Sequence, residues 1–224
     1  GQDYFSHSLF GIQFRVPKAG SFGLSIEDFS VDYSGNSLSR ETAVGFHQGI
    51  MLRSDRNSTI SFGYGIKSYT IDYGSSAGVS GDGSDGIELG SQSSWGVDIG
   101  LLASLAERIR FGARAFNINS PTLGDANGAV RLPQRAQVGI AFSPYDLVWT
   151  TAALTKSSGH PTHFHGGMSY NILDNVFLKA GVQANPNRFT TGFGVFIKKI
   201  RIDYGLMTHP VLPLSHQVSI EVSR

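Results

Sequence analysis

The sequence predicts an all-β protein, a transmembrane antiparallel up-and-down β-barrel, on two recurring patterns. Apolar and polar residues alternate strictly in segment after segment, as in residues 60–67, which read Ile-Ser-Phe-Gly-Tyr-Gly-Ile-Lys. Since successive side chains of a strand point to opposite faces, such a segment has one apolar and one polar face. The connections between the segments alternate between short and long, as they do in barrels that cross an outer membrane.

The alternation covers almost the whole chain and gives about thirteen segments of roughly 9–12 residues, the length that a tilted strand needs to cross a bilayer. Because barrels of this kind have even strand numbers, we expect about fourteen strands in the complete barrel, with about twelve as the alternative. We expect residues 1–224 to form one domain that lacks an N-terminal strand or hatch segment. Six apolar residues are predicted to face lipid: Phe62, Trp95, Phe111, Ile140, Phe193 and Ile220.

The connections predict which end of the barrel faces the cell. Short turns belong on the periplasmic side and longer loops on the extracellular side. The segment Gly74–Ser91 is rich in Gly and Ser, so we expect it to be an extracellular, mobile loop. One break in the alternation, at Asp28 between Ile26 and Phe29, predicts a β-bulge. The predicted long connections are Ser34–Arg40, Gly74–Ser91, Ser120–Leu132, Ser157–Pro161 and His209–Ser215.

Composition narrows the class of protein. Charged residues make up only 16% of the chain, against about 25% in ordinary soluble domains. A net charge of +1 gives no reason to expect a nucleic-acid partner, and the absence of Cys excludes disulfides and thiol chemistry. No apolar run reaches the length of roughly 18 residues that a transmembrane helix needs. The chain is therefore expected to contact outer-membrane lipid through its strands.

The alternative is a soluble β-sandwich or a lipocalin-like barrel, which would also show alternating strands. In such a protein the polar faces would be exposed to water and rich in Lys, Glu and Thr. Here they are rich in Gly, with scattered Arg, Asp and His. Small residues on an inner wall leave room for the larger side chains of a narrow lumen, so the composition favours the membrane barrel.

Charged and imidazole side chains on the polar faces are the candidate functional residues. Ionisable groups at membrane depth are tolerated only inside a barrel. Both signs are present, so they either close the lumen by ion pairing or line a path for a solute. The predicted lumen-facing set is Arg15, Glu27, His47, Lys67, Asp98, Arg110, Arg114, Arg135, His165, Lys179, Arg201, Asp203 and Glu221.

Catalytic and metal chemistry find little support in the sequence. His163 and His165 would share one face of a strand and could hold a transition metal, but no third ligand is evident. Ser215 and His216 are adjacent, so on a strand they would point to opposite faces and could not act as nucleophile and base. We expect no enzyme and no cofactor.

The last loop, residues 208–214, is the most apolar connection in the chain. Two prolines restrict its backbone, and Val211, Leu212 and Leu214 cannot easily hide by flexing. An exposed apolar loop tip usually marks a contact surface. We therefore predict that these three residues cap the lumen or dock a partner.

Two longer motifs resemble a known family. One is Asn-Ile-Asn-Ser-Pro-Thr-Leu-Gly at 117–124, followed by Leu-Pro and a strand of alternating Gly, Ala and aromatic residues at 132–144. The other is Ile-Asp-Tyr-Gly-Leu at 202–206, followed by Leu-Ser-His-Gln-Val-Ser-Ile at 214–220. The chain resembles the PorV/PorQ-like branch of the FadL superfamily, the long-chain fatty-acid transporter barrels. It departs from that pattern in lacking the N-terminal Asn-Pro-Ala-Gly segment and in ending without an aromatic residue.

The resemblance implies a bacterial outer-membrane location and leaves two functions open. One is transport of apolar or amphipathic small molecules across the outer membrane. The other is a barrel that does not transport but docks a secretion-system or cell-surface protein, as PorV-like proteins of type IX secretion do. An open tunnel would favour transport, whereas a sealed lumen with an apolar extracellular rim would favour the docking role.

Overall fold

A computed structural model describes residues 5–33, 36–76, 78–79, 81, 85–124, 129–211 and 213–222. Thirteen strands form one antiparallel sheet in which spatial order follows chain order, with a separate two-stranded ribbon inside one loop. The predicted all-β, up-and-down fold class is thus confirmed, with thirteen long strands against the fourteen expected for a complete barrel. The described residues contain no helix that is long and apolar enough to cross a membrane.

The strands differ in length along the chain, and the long ones come first. The N-terminal five exceed the later ones, the longest being β3 with 19 residues. The elements are β1 Phe5–Val16, β2 Gly20–Tyr33, β3 Asn36–Ser54, β4 Ser58–Asp72, β5 Ser91–Leu105, β6 Ile109–Phe116, β7 Thr122–Leu123, β8 Val130–Arg131, β9 Arg135–Tyr145, β10 Val148–Ser157, β11 His163–Leu173, β12 Val176–Ala184, β13 Arg188–Ile197, β14 Ile200–Met207 and β15 Ser215–Val222.

The residues fall into two compact units. Unit 1 comprises residues 1–52, 61–100 and 115–134, and unit 2 comprises residues 53–60, 101–114 and 135–224. We call the strand ends joined by the tight connections after β1, β3, β5, β9, β11 and β13 the turn end. The opposite ends are the loop end, which carries the long connections 73–90 and 117–134 but also the short ones 34–35 and 185–187.

Cross-strand pairing gives each unit one apolar and one polar face. In unit 1, Leu24 of β2 lies opposite Ile12 of β1 and Phe46 of β3. In unit 2, Leu178 of β12 lies opposite Phe193 of β13. Directly opposed residues share a face, so the period-2 pattern of the sequence persists across neighbouring strands. We call the side with these residues the apolar face and the other side the polar face.

Burial is inverted relative to a soluble protein. Among the described residues, Leu123 and Phe177 are the only large hydrophobic side chains that are buried. The apolar face is open instead: Ile140 is 42% exposed and Phe193 49%. Two polar residues, Asp98 and Asn117, are more buried than either. A soluble sandwich would pack two sheets against each other, and the described strands form no second large sheet.

The predicted long loop Ser34–Arg40 is wrong. Strand β3 starts at Asn36 and pairs with the end of β2, so only residues 34–35 join the two strands. At about 3.3 Å per residue, β3 is roughly 60 Å long, far more than a bilayer requires even for a tilted strand. The first residues of β3, Asn36–Arg40, lack the alternating apolar pattern from which the other strands were predicted.

The predicted bulge at Asp28 is also wrong. Register runs unbroken through Asp28, which lies opposite Ser8 of β1 and Thr42 of β3. The pairing shifts only further along, between Val31 and Asp32. Asp28 therefore stays on the apolar face, and the change of pattern there has another cause, which the contacts of Asp28 reveal.

Two long connections are partly structured. At the base of the 73–90 connection, Leu89 N donates to Gly74 O at 2.9 Å and Ser76 N donates to Ile87 O at 2.9 Å. The 117–134 connection contains β7 and β8, which pair as a small ribbon. Its Leu123 is only 1% exposed. The base of the predicted mobile loop Gly74–Ser91 is thus paired by backbone hydrogen bonds, and the mobility of the loop stays a prediction.

Candidate functional site

The thirteen residues proposed from the sequence to line a lumen all lie on the polar face. Arg15 and Glu27 do so in β1 and β2, and His47 in β3. The remaining ten occupy the polar positions of β4, β5, β6, β9, β11, β12, β14 and β15. That this face encloses a lumen is a proposal. The structure adds which of these residues contact one another, and they form separate groups in the two units.

The first group is an ion pair at the centre of unit 1. Lys67 Nζ lies 3.2 Å from Asp98 Oδ2, and the two side chains are only 19% and 12% exposed. The ammonium also sits 5.4 Å from the centre of the Phe116 ring. The other oxygen of Asp98 accepts a hydrogen bond of 3.0 Å from the Asn117 backbone N–H. Both oxygens of this carboxylate thus have a partner, as a buried charge requires.

His47 lies beside this pair in a niche made by glycines. Its Nε2 is 3.0 Å from Ser25 Oγ. A methyl group at Gly65 would overlap the imidazole, and one at Gly45 would lie 2.6 Å from His47 Nε2. The imidazole can lie flat against the sheet only because these positions lack a side chain. The imidazole of His47 is therefore partly buried on the polar face and hydrogen-bonded to Ser25.

Asn117 extends the network into the long connection after β6. Its Oδ1 accepts a hydrogen bond of 3.0 Å from the Tyr69 hydroxyl, and its Nδ2 donates to Pro133 O at 3.2 Å. Its backbone is left-handed, with φ of 55°, a conformation that Asn tolerates better than most residues. Asn117 therefore joins β4, β5 and the two ends of the 117–134 connection.

Beyond the end of β6, the side chain of Asn119 makes the hydrogen bonds to β5 that a neighbouring strand would otherwise make. Its side-chain oxygen accepts from Val97 N at 2.9 Å, and its side-chain nitrogen donates to Trp95 O at 2.9 Å. An amide side chain carries the same donor and acceptor as a peptide group, so it continues the ladder. In the sequence these two asparagines belong to the motif at 117–124, and nothing in that motif predicts their structural role.

The second group lies at the turn end of unit 2. Asp203 accepts hydrogen bonds from Arg201 Nε at 2.8 Å and from Lys179 Nζ at 3.1 Å. Both cations also lie over the ring of Phe177, at 4.6 Å for Arg201 and 4.9 Å for Lys179. The Arg201 guanidinium lies 5.4 Å from the ring of Phe196 as well. Cations over aromatic faces are attracted by the ring quadrupole.

Phe177 is a functional candidate that the sequence analysis missed. It occupies a polar-face position between Val176 and Leu178, and it is only 7% exposed. Gly194, directly opposite, has no side chain, and a methyl group there would overlap the ring. Phe177 occupies a position of β12 where the alternation calls for a polar residue. Because its neighbours Val176 and Leu178 are also apolar, the sequence does not show which of the three residues belongs to the polar face.

A small cavity of about 190 Å³ opens beside this cluster. Its lining includes the aromatic residues Phe177 and Phe196 and the polar residues Lys179, Arg201 and Asn171. It is smaller than the roughly 300–1,000 Å³ of typical ligand pockets. Since both cations already bind Asp203, the cavity lies next to a satisfied cluster.

Other predicted cations of unit 2 also have partners. The guanidinium of Arg110 lies 4.3 Å from the ring centre of Trp149. Trp149 lies opposite Ser169 and so belongs to the polar face. Arg114 donates from Nε to Gln137 Oε1 at 2.8 Å. Arg201 lies opposite Glu221 of β15, a further member of the predicted set.

His163 and His165 share the polar face, as expected, with ring centres 6.5 Å apart. No group of three or more His, Asp or Glu in the described part of the chain could hold a metal ion. The pair therefore has no third protein ligand there, and the structure adds nothing in favour of a metal. His163 Nδ1 is nevertheless buried and without a hydrogen-bond partner.

At the loop end of unit 1 the two faces exchange their character. Ile26 and Val44 form a pair on the apolar face, and the next pair on that face, Asp28 and Thr42, is polar. Asp28 accepts hydrogen bonds from Arg40 Nε at 2.9 Å and from Thr42 Oγ1 at 3.0 Å. The change of pattern at Asp28 is therefore a change of environment along a regular strand. On the polar face at this end lie the apolar side chains Phe5, Leu9, Phe29 and Val31, next to a His7–Glu27 ion pair of 2.8 Å.

The predicted contact loop presents apolar side chains to solvent. Val211 is 87% exposed and Leu214 55%. Val211 N donates to His209 Nδ1 at 3.2 Å, which folds the loop locally. Leu212, the third residue proposed from the sequence, lies outside the described residues. At the start of β15, Ser215 and His216 point to opposite faces, and His216 Nδ1 is 2.7 Å from the Tyr204 hydroxyl.

Comparison with known proteins gives structural matches only. No family model and no curated protein matches the sequence. A deltaS2 mutant of the TodX monoaromatic hydrocarbon channel matches with a TM-score of 0.61 and 12% identity, over 90% of this chain and 76% of that chain. The toluene transporter TodX of Pseudomonas putida matches with a TM-score of 0.56 and 12% identity, over 96% and 85%.

A FadL homologue of Pseudomonas aeruginosa is a third match, with a TM-score of 0.55 and 14% identity, over 89% of this chain and 68% of that chain. At such low identity the likeness shows the fold alone, which is that of the FadL-type barrels. The matched structures are described as channels, transporters or a FadL homologue, and none of these descriptions is of an enzyme. Membership of the PorV/PorQ-like branch stays a prediction.

Proposed function

We propose that the chain forms a bacterial outer-membrane barrel that carries apolar or amphipathic small molecules across that membrane. The inverted burial is the observation that carries the proposal. Large apolar side chains such as Ile140 and Phe193 are exposed on one face, whereas Asp98 on the other face is 8% exposed. An exposed apolar face of this extent is stable only in contact with lipid.

The cluster around Asp28 supports a lipid boundary. It places a carboxylate, a guanidinium and a hydroxyl on the apolar face directly after Ile26 and Val44. Charged groups that face hydrocarbon are costly, and the cost falls toward the interface. The apolar belt of unit 1 therefore ends between Ile26 and Asp28, and the rest of β2 and β3 extends beyond the membrane.

The apolar residues on the polar face beyond that boundary supply an entrance. Phe5, Leu9 and Phe29 lie on the side that continues toward His47 and Lys67. They are outside the lipid belt, so lipid cannot be what they contact. An apolar solute that leaves the cell surface gains contact there before it reaches the polar groups further along the face.

The structural neighbours agree with this class of solute. Two of them are described as a monoaromatic hydrocarbon channel and a toluene transporter. Under the proposal, this chain handles the same broad class of molecule, through side chains of its own. The comparison supports the class and does not identify a compound.

Uptake by whole cells tests the proposal. A Gram-negative host deleted for its own hydrophobic-compound channel is supplied with the full-length protein, and initial uptake of labelled toluene and labelled decanoate is measured. We expect faster uptake of at least one than in the empty host. Phe29→Asp should slow uptake about threefold or more because it places a charge at the entrance. Ser30→Asp, one residue along on the other face, is the matched control.

Uptake equal to that of the empty host, with folded protein present in the outer membrane, excludes transport. Equal uptake by Phe29→Asp and Ser30→Asp cells excludes the proposed entrance but leaves transport itself standing. Folding in both variants is checked by heat-dependent migration in gels, which distinguishes folded from unfolded barrels.

A second candidate function is a barrel that docks a secretion-system or cell-surface protein, of the kind implied by the PorV-like resemblance. The exposure of Val211 and Leu214 favours it, because two apolar side chains at a loop tip are suited to a protein contact. Cross-linking in the native host, followed by purification, tests it: a partner whose recovery depends on Val211 and Leu214 supports docking. Recovery independent of both residues opposes it.

A further inference from the structure

The polar face of unit 2 has an excess of positive charge. Strands β6 and β9–β15 are described over their whole length, and on this face they have more basic than acidic side chains. The bases are Arg110, Arg114, Arg135, Lys179, Arg188 and Arg201, and the acids are Asp203 and Glu221. On the apolar face of the same strands, Lys156 is the one Lys or Arg residue, and there is no Asp or Glu.

The two carboxylates compensate charge only at the turn end. Asp203 lies 2.8 Å from Arg201 and 3.1 Å from Lys179, and Glu221 lies directly opposite Arg201. All four residues belong to the halves of their strands that are nearest the turn end. The strands of unit 2 contribute no further carboxylate to the polar face, so the other four bases give it a net positive charge.

Arg110 and Arg188 carry this excess most clearly. In the described part of the chain neither forms an ion pair with a carboxylate. The Arg110 guanidinium lies 4.3 Å from the ring centre of Trp149, a contact that leaves its charge in place. Arg188 Nε is buried and has no hydrogen-bond partner, a property that it shares among the described residues with Thr155 Oγ1 and His163 Nδ1. Since Arg110 is near the turn end of β6 and Arg188 is at the loop end of β13, uncompensated charge occurs at both ends of the face.

Charged groups elsewhere do not remove the excess. On the polar face of unit 1, Arg15 and Lys67 are accompanied by Glu27, Glu41 and Asp98, a much smaller imbalance of the opposite sign. At the turn end of unit 2, acids and bases occur in nearly equal numbers: Asp55, Glu107, Asp146 and Asp174 with Arg53, Arg56, Arg108, Lys198 and Lys199.

A surface with this charge acts on ions without binding them. In about 0.1 M salt its field reaches about 10 Å into solution, and walls of low dielectric constant focus the field along a confined path. Rows of Arg and Lys side chains are how pores favour anions over cations. The bases of unit 2 therefore do not have to converge on one ion, because each contributes to the potential along the face.

We propose that unit 2 makes the path through the barrel selective for small inorganic anions such as chloride. The inference rests on the proposed transport function, which makes the polar face the lining of a path, and it adds an ionic conductance to the passage of apolar solutes. Arg188 raises the local concentration of anions at the loop end, and Arg110 continues the positive potential toward the turn end.

Currents through the full-length protein in a planar bilayer of neutral lipid test the proposal. With a gradient of KCl across the bilayer, the reversal potential gives the ratio of chloride to potassium permeability. We expect a ratio of about three or more when the dilute side is at about 0.1 M. Raising both sides to about 1 M or above at the same gradient should bring the ratio toward one, because the screening length falls to about 3 Å.

The double variant Arg110→Gln with Arg188→Gln should lower the ratio about twofold or more, because it removes the uncompensated charge at both ends of the face. Lys156→Gln is the matched control. It removes a charge near the loop end of β10, as Arg188→Gln does on β13, but from the apolar face, where Lys156 lies opposite Ala136. Its ratio should equal that of the parent. Glu221→Gln changes the charge in the other direction and should raise the ratio, because Arg201 loses a carboxylate opposite it.

A ratio of one or less in the parent overturns the proposal, and so does the absence of any current through folded protein. Equal ratios in the double variant and in Lys156→Gln also overturn it. If the double variant does not fold, Glu221→Gln decides, and a ratio no higher than that of the parent overturns the proposal.

Failure of the transport function has a different signature. An anion-selective current in a protein that gives host cells no uptake of toluene or decanoate preserves the selectivity and removes the carriage of apolar solutes. Uptake without any current has the opposite meaning, because it preserves transport and overturns the anion path.

Discussion

Lys67 and Asp98 form the least exposed ion pair among the described residues, with 3.2 Å between Nζ and Oδ2 and side chains 19% and 12% exposed. The pair joins neighbouring strands of unit 1, and the second oxygen of Asp98 holds the Asn117 backbone. A carboxylate with these two roles fixes the position of both β4 and the connection that follows β6.

Asp98→Asn should therefore destabilise the barrel. It leaves the Lys67 ammonium without its counterion in a poorly hydrated place, which costs about 1–3 kcal/mol in the free energy of unfolding. Urea unfolding followed by tryptophan fluorescence measures this. Asp55→Asn is the control: Asp55 pairs with Arg53 at 2.6 Å, but the side chains are 47% and 68% exposed. Such a pair is worth less than about 1 kcal/mol. Equal losses in the two variants would contradict the structural role of Asp98.

The glycine niche around His47 gives a second prediction. Gly65→Ala should destabilise the barrel by about 1–3 kcal/mol, because the new methyl group overlaps the imidazole and overpacking is costly. Gly49→Ala, also in a strand of unit 1, meets no atom within 4 Å and should change stability by less than about 0.5 kcal/mol. Urea unfolding of both variants provides the comparison. A Gly65→Ala barrel as stable as Gly49→Ala would show that the ring of His47 moves freely.

Much of the fold was predictable because the strands have one apolar and one polar face, which gives the sequence a period of two. The faces of Ile140, Phe193 and Lys67 follow from that rule alone. The period of two lapses at the loop end of unit 1, and for that reason the sequence predicts a loop at the start of β3 and a bulge at Asp28. In both places the backbone is a regular strand in a different environment.

The candidate sites were only partly predictable. The alternation assigns a residue to one face of the sheet, but it does not determine which residues of other strands lie next to it. The pairing of Lys67 with Asp98 depends on the register of two strands, which the alternation leaves free. Phe177 and Trp149 are aromatic residues on the polar face, and a pattern that assigns aromatic residues to lipid places them wrongly. The unpaired atoms of Thr155, His163 and Arg188 become evident only when hydrogen bonds are assigned in three dimensions.

The apolar face gives a third prediction. Ile140→Arg, near the middle of β9, should lower the stability of the membrane-inserted barrel by about 2–4 kcal/mol, because the charge faces hydrocarbon. Gln217→Arg adds the same charge to an exposed position of the polar face and should be nearly neutral. Unfolding by urea from lipid vesicles measures both. Equal stability of the two variants would mean that the apolar face does not contact lipid.

The 73–90 connection gives a fourth prediction, on topology. Protease added to intact cells should cut between Ser76 and Ile87, because the backbone bonds at the base protect the flanking residues. The turn that contains Asp55 should be spared. Peptide mass mapping identifies the sites. Cleavage at Asp55 in intact cells, with the 73–90 connection spared, would invert the assignment of the two ends.

The apolar loop before β15 gives the last prediction. Replacing Val211, Leu212 and Leu214 together with Ser should leave assembly of the barrel intact, because these residues lie outside the strands. Burial of even one Val or Leu side chain in a contact contributes about 1.5–3 kcal/mol, so a docked partner should be lost at least tenfold. If the loop caps the path instead, the rate of solute uptake should change and no partner should be released. Ile87→Ser, at an exposed apolar position of another loop, controls for general surface effects. A triple variant that assembles, transports and associates as the parent does would mean that the loop contributes to neither role.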